Sequence, residues 1–143
     1  MMEIPEVRRR VRAAIEQARR DATERRERSD AAARAYAEFL GARAVPAFNQ
    51  IAGALAGEGH RFKVFTPADS VRLSSERSSE NFVELVLDTT DDPPVVMGRT
   101  NVGRGRRAVT RERPVRDRRP IADLTEDDVI EFLLGEIPPL VER

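Results

Sequence analysis

Cysteine is absent from the 143-residue chain, and histidine occurs only once. The lack of cysteine excludes disulfide bonds, thiolate nucleophiles and cysteine-based zinc sites. The one histidine, His60, lies between Gly59 and Arg61, and the sequence identifies neither a nucleophile nor an orienting partner for it. We therefore predict no catalytic residue, no metal site and no cofactor. An enzyme with an Asp, Arg and His site is the least favoured function.

Long apolar runs are also missing. No run approaches the roughly 18 residues that a membrane-spanning helix needs, and the first residues include Glu3 and Glu6 instead of an apolar leader. The 25 basic residues balance 25 acidic ones, so no overall field attracts nucleic acid or a membrane surface. The sequence predicts a cytoplasmic protein with no membrane association.

Aromatic residues and lysine are scarce. The chain has no tryptophan, one tyrosine and six phenylalanines, so we expect a mostly aliphatic core. Lys63 is the only lysine among the 25 basic residues. A bias towards arginine and alanine is what a GC-rich genome produces, so abundant arginine is weak evidence for phosphate binding. No glycine-rich phosphate-binding motif follows a predicted strand, which argues against a doubly wound nucleotide-binding fold.

Residues 1–57 form a run of helix-forming residues that we interpret as a helical arm. Its first part carries one narrow apolar stripe, spaced by three and four residues, which is typical of a helix–helix seam. The seam residues are Val7, Val11, Ile15 and Ala18. The stripe is interrupted at Arg25 and Ser29, and Pro46 predicts a kink or break near Gly41–Pro46. The arm is therefore one kinked helix or two helices.

A continuous helix from Glu3 to Leu40 would be about 55 Å long, longer than the remaining residues could cover. Two arrangements would bury its stripe. The arm could fold on itself as a helical hairpin, or it could pack against another chain. We favour the second arrangement, most simply a homodimer.

After Gly59 the hydrophobic pattern changes from helical to alternating, which predicts strands. Four or five short strands separated by turn residues predict an antiparallel meander. The predicted strands are Arg61–Thr66, Ser70–Ser75, Asn81–Asp88, Val95–Arg99 and Arg107–Thr110, the last two joined around Asn101–Gly103. A C-terminal helix begins at Thr125 with a capping-box pattern, is apolar on most sides, and should cover the sheet. Residues 58–143 thus form a sheet with a covering helix, and the fold class is α+β.

The charge is distributed unevenly along the chain. The segment 99–119 carries nine arginines and two acids, whereas the segment 120–143 is strongly acidic. Three interpretations are open: pairing with the protein's own carboxylates, which we favour, contact with nucleic acid, and an acidic protein partner. For pairing within the sheet we expect strands with Glu80, Glu84 and Asp88 to lie across from strands with Arg99 and Arg107.

Within that segment, flexible glycines lie beside the guanidinium groups of Arg104, Arg106 and Arg107, which makes these three arginines a possible anion-binding site. A turn between strands explains the same pattern. Our sequence-based hypothesis is a non-enzymatic assembly or adaptor protein that oligomerises, as a dimer, through its arm and sheet. The alternative is a nucleic-acid-associated protein that uses the arginine-rich segment.

Overall fold

One unbroken helical segment occupies residues 4–57 in the computed structural model, which describes residues 1–142. It consists of α1 (Ile4–Phe39), a π-helical turn (Leu40–Ala44) and α2 (Val45–Gly57). The predicted kink region contains this π-helical turn, in which the amide of Val45 donates to the carbonyl of Leu40. Wider turns of this kind accommodate a proline such as Pro46, which lacks the amide that an α-helix requires. The hairpin alternative for the arm is therefore wrong, because the helix never reverses.

The helical segment ends where its glycines predict. Gly59 adopts a positive φ of 89°, the left-handed conformation that glycine accepts without strain. The amide of His60 then donates to the carbonyl of Leu55 at 2.8 Å, and that of Gly59 to Ala56 at 3.1 Å. This pair of hydrogen bonds is a Schellman motif. It turns the chain sharply into the first strand.

Five antiparallel strands follow in sequential order, which confirms the predicted meander and the α+β class. They are β1 (Phe62–Phe65), β2 (Val71–Ser75), β3 (Phe82–Asp88), β4 (Val95–Arg104) and β5 (Arg107–Pro114). The predicted turn at Asn101–Gly103 is wrong, because β4 continues to Arg104 and the turn lies at Gly105 and Arg106. Asn101 stays in the strand because its side chain donates to the carbonyl of Glu80 and accepts from Thr110.

Helices cover one face of the sheet. A 3₁₀ turn (Ile121–Asp123) leads into α3 (Glu126–Glu136) and the short α4 (Pro138–Val141). The predicted capping box at the start of α3 is present. The core combines side chains from α1, α2, α3 and the inner face of the sheet. Its largest fully buried apolar members are Phe39, Phe48, Phe132, Leu73, Leu85 and Leu133.

α3 approaches the sheet most closely where Phe132 lies against Gly98 of β4. A β-carbon on Gly98 would overlap the ring of Phe132. The guanidinium carbon of Arg113, on β5, lies over that ring at 4.4 Å from its centroid. Only glycine fits at position 98 while α3 packs this close to the sheet.

Tyr36 attaches α1 to the sheet. Its side chain is 4% exposed, and its hydroxyl donates to the carbonyl of Asp69 at 2.7 Å. Burial of the phenol raises the pKa of Tyr36 well above its ordinary value. Because Asp69 lies in the turn before β2, this hydrogen bond fixes the helix at one end of the sheet.

The outer face of the sheet carries a row of alternating charges across four strands. Each residue of the row is the direct cross-strand neighbour of the next, in the order Arg72, Glu84, Arg99, Glu112. Arg72 contacts Glu84 at 2.9 Å, and Arg99 contacts Glu112 at 2.9 Å. Opposite charges at such positions stabilise strand pairing. The expectation that the strand with Glu84 lies across from the strand with Arg99 is thus confirmed. Glu84 and Arg99 are direct neighbours, although each forms its ion pair with another residue.

We expect Gly98→Ala to lower the free energy of unfolding by about 1–3 kcal/mol, because the new methyl group forces Phe132 away from the strand. Urea denaturation measures the change. Gly41→Ala is the matched control, since nothing lies within 4 Å of a β-carbon placed there. Equal stability of Gly98→Ala and the parent protein would show that α3 can shift without cost.

Candidate functional site

The first five turns of α1 extend beyond the rest of the protein. Among residues 1–21 every side chain is exposed except that of Glu6, which is half-buried. The predicted seam is on this segment: Val7 is 44% exposed, Val11 52% and Ile15 47%, and Ala18 is exposed as well. Ile4 adds a fifth apolar side chain to the same stripe. The structure therefore brings the seam residues together on one uncovered helix face.

The exposed stripe is continuous with the face of α1 that packs inside the protein. From Ile4 to Ala22 the stripe spans 18 residues, about five turns of an α-helix, so it runs along the helix without drifting around it. The same face continues through Ser29 and Ala33 to Tyr36, which is buried. At Ala22, Arg25 and Ser29 this face meets the β3–β4 loop across a cavity of about 490 Å³. The protein's own loop thus begins to cover the stripe at the point where the exposed segment ends.

A salt bridge joins α1 to that loop. The Arg28 guanidinium donates to both oxygens of the Asp92 carboxylate, at 3.0 and 2.7 Å. The hydrogen bond from Arg28 holds the pKa of Asp92 below its ordinary value. Sequence reasoning missed this pair because the two residues are 64 positions apart. Its bidentate geometry orients the arm as well as attaching it.

Carboxylates near the arginine-rich segment 99–119 come mainly from α3. Glu136 is 2% exposed, accepts a hydrogen bond from Thr100 at 3.0 Å, and lies 3.6 Å from Arg111 and 3.5 Å from Arg113. A carboxylate this deeply buried requires such partners to remain charged. Arg111 and Arg113 of β5 therefore compensate the charge of a buried carboxylate.

Asp128 holds two further arginines. Its carboxylate lies 3.4 Å from Arg116 and 3.0 Å from Arg119, and it accepts the amide of Thr125 at 2.9 Å. Burial acts to raise the pKa of Asp128, but hydrogen bonds from Thr125 and the charge of Arg119 outweigh it, so the pKa lies below its ordinary value. With Arg99 and Arg104, six of the nine arginines lie within 4 Å of a carboxylate.

The three predicted anion-binding arginines lie at the end of the β4–β5 hairpin. Arg104 is 4.0 Å from Glu142, and both side chains are 64% exposed. Within residues 1–142, neither Arg106 nor Arg107 lies within 4 Å of a carboxylate. The expected neighbourhood of Arg107 is wrong: its strand lies beside β4, opposite Arg104, and not beside the acids of β3. The hairpin end is therefore the least compensated part of the segment.

His60 lines an open cavity of about 440 Å³ beside β1 and β2. The cavity also includes the side chains of Arg61, Ser75, Arg77 and Glu142. Among residues 1–142 no hydrogen bond or ion pair joins the His60 side chain to a carboxylate, and Glu142 lies 4.0 Å from Arg104. A general base needs an orienting partner, so the arrangement gives no catalytic constellation.

Residues 1–142 contain no group of three or more His, Asp or Glu side chains that could hold a metal ion. Within the same residues, no helix has both the length and the hydrophobicity that crossing a membrane requires. Comparison of the chain with protein-family models, with curated proteins and with solved structures found no match in any of the three.

The depressed pKa of Asp128 leads to a prediction about stability and pH. We expect Asp128→Ala to lower the free energy of unfolding at pH 7 by about 1–2 kcal/mol, because it removes the carboxylate half of the capping box at Thr125 and the partner of Arg116 and Arg119. A carboxylate whose pKa is lowered by folding stabilises the protein above its unfolded pKa of about 3.9 and loses that contribution as the pH falls through its folded value. The difference between variant and parent should therefore shrink below about pH 4.

Urea denaturation between pH 3 and pH 7 measures this difference. Asp127→Ala is the control, since Asp127 is an exposed acid in the same helical turn. A loss that is equally large for both variants would refute the specific role of Asp128 in the capping box.

Proposed function

We propose that the protein is a non-enzymatic assembly protein whose exposed arm pairs with the arm of a second copy. The observation that carries the proposal is the uncovered apolar stripe on the first five turns of α1, continuous with a face that is buried further along the same helix. Isolated apolar side chains are common on protein surfaces, but an aligned row on a projecting helix is typical of a helix–helix interface.

A second copy fits the chemistry of the arm better than a strongly charged partner does. The stripe is bordered by both signs of charge, with Arg8, Arg12, Glu16 and Arg19 beside Val11 and Ile15. Elsewhere Glu6 pairs with Arg10 on the arm itself. A partner with the same narrow apolar stripe matches this surface, as coiled-coil chains match one another.

The expected affinity is modest. Val7, Val11 and Ile15 are each roughly half exposed and Ile4 is 70% exposed, so a dimer would bury about half of the surface of eight side chains. At about 1 kcal/mol each, this contributes roughly 8 kcal/mol before the cost of association is subtracted. Subtracting an association cost of at least about 4 kcal/mol leaves about 4 kcal/mol at most, so we expect a dissociation constant of about a millimolar.

The nucleic-acid alternative has narrower support. Six of the nine arginines of segment 99–119 lie within 4 Å of one of the protein's own carboxylates. Among residues 1–142 this leaves three arginines of the segment without such a partner: Arg106 and Arg107 at the hairpin end, and Arg118. The segment presents no aromatic side chains on which bases could stack. The sheet is also a weaker candidate for assembly than the arm, because its outer face pairs its charges internally.

Replacing both Val11 and Ile15 with Asp should dissociate the assembly, because the two carboxylates would lie in a seam that excludes water. Sedimentation velocity or light scattering over roughly 10 µM to 1 mM chain measures the change. Ala13→Asp with Gln17→Asp places the same charges at the same spacing on another face of α1 and should leave the assembly intact. A parent protein that is monomeric at 1 mM would refute the proposal.

We expect the parent protein to bind duplex DNA or RNA no more tightly than the non-specific range of about 10⁻⁴–10⁻⁶ M at ~150 mM salt. Fluorescence anisotropy measures this affinity. Replacing Arg104, Arg106 and Arg107 with Gln should change it by less than tenfold. Submicromolar binding that is lost in this triple variant would favour the nucleic-acid function instead.

A further inference from the structure

We infer that two arms pair antiparallel, centred near Val11, so that the rest of each protein lies at opposite ends of the paired helices. This inference rests on the proposed assembly and specifies its geometry. Three features bear on it: the position of the β3–β4 loop, the continuity of α1, and the order of large and small residues along the stripe.

The β3–β4 loop excludes a parallel pair. In a parallel pair, equal positions on the two helices face each other at an axial distance of about 8–10 Å. At Ala22, Arg25 and Ser29 the face that would meet the partner is already opposite the chain's own residues Thr89–Asp92. The partner's helix would have to pass through that loop, since α1 continues without a break to Phe39.

An antiparallel pair avoids this collision. The partner's helix then runs the other way along the exposed stripe, and its longer, C-terminal part leads away from the first protein. Only the partner's first turn approaches the β3–β4 loop. The Arg28–Asp92 salt bridge, which holds the loop against α1, therefore remains undisturbed.

The part of the stripe from Ile4 to Ala18 is symmetric about Val11. Its apolar residues lie at positions 4, 7, 11, 15 and 18, so the gaps are three, four, four and three in either direction. Reversing one helix places Val7 opposite Ile15 and the large Ile4 opposite the small Ala18. Alternation of large and small residues across an interface allows close packing, and a two-fold interface requires such a self-complementary patch.

The charges beside the stripe oppose this arrangement but do not decide it. An antiparallel pair places the edge with Arg8, Arg12 and Arg19 beside the same edge of the partner. These arginines lie on an exposed helix, where charge–charge interactions are weak and screened by salt. Steric overlap between the partner's helix and the β3–β4 loop, by contrast, is not weakened by solvent or salt.

Distances between spin labels separate the two orientations. The chain has no cysteine, so Ala13→Cys and Glu27→Cys each give one label per chain, and both positions are exposed on α1. In an antiparallel pair, residues 13 lie close together, and we expect their labels to be roughly 25–30 Å apart. Residues 27 are then 16 positions from the centre on opposite sides, and their labels should be roughly 55 Å apart.

Double electron–electron resonance on the full chain measures both distances. A short distance at residue 13 with a long one at residue 27 supports the antiparallel pair. Short distances at both positions would overturn it and leave assembly through the arm intact. No dipolar coupling at residue 13, or a distance beyond roughly 40 Å, would overturn the pairing of the arms itself. Adding Val11→Asp and Ile15→Asp to each labelled chain is the control and should remove the coupling.

Discussion

The burial of Tyr36 and Phe39 against the sheet is the contact on which the rest of the structure depends. These two residues fix both the position and the rotation of α1 about its axis, because one face of the helix must enter the core. The rotation then determines where the stripe points over the preceding turns. The same apolar face is covered at Tyr36, partly covered at Ala22 and uncovered at Val11. One helix face therefore serves both the interior and the projecting surface.

The ends of α3 organise the arginines that follow the fourth strand. Asp128 in its first turn lies in the favourable field of the helix N-terminus, whereas Glu136 in its last turn lies in an unfavourable one. The sheet supplies the hydrogen-bond donor and the positive charges that this end of the helix lacks, since Thr100, Arg111 and Arg113 all contact Glu136. The positive charge of segment 99–119 and the negative charge of segment 120–143 thus meet at the interface between α3 and β5. This explains why neutrality of the whole chain coexists with strong local charge.

The sequence was sufficient for the long helix, the strand order and the cap at Thr125, because each depends on local patterns of hydrophobicity or capping residues. It placed a turn at Asn101–Gly103, where the chain stays extended. Contacts with other parts of the chain keep this stretch in the strand, because Val102 is buried and the Asn101 side chain forms hydrogen bonds with Glu80 and Thr110. The Arg28–Asp92 salt bridge and the contacts of Glu136 also depend on distant residues, so no local pattern could have indicated them.

The apolar stripe of the arm was also predictable only in part from the sequence. The spacing of Val7, Val11, Ile15 and Ala18 identified the stripe, because helical periodicity is visible in the sequence. The length of the helix predicted that part of it would be left uncovered. Which part is exposed could not be predicted, since that depends on how far the sheet and its loops extend along α1. The aliphatic core expected from the scarcity of aromatics is also only part of the outcome, because Phe39, Phe48 and Phe132 are among its most buried side chains.

The unbroken arm behaves mechanically as a lever. Ile4 lies 32 residues before Tyr36, about 48 Å along the helix axis, so a tilt of about 10° at Tyr36 would displace Ile4 by roughly 8 Å. Arg28 lies eight residues before Tyr36, about 12 Å along the same axis. Its salt bridge with Asp92 is therefore a second point of attachment near the pivot. A small change in the position of that loop is magnified about fourfold at Ile4, and the loop sets the direction in which the arm points.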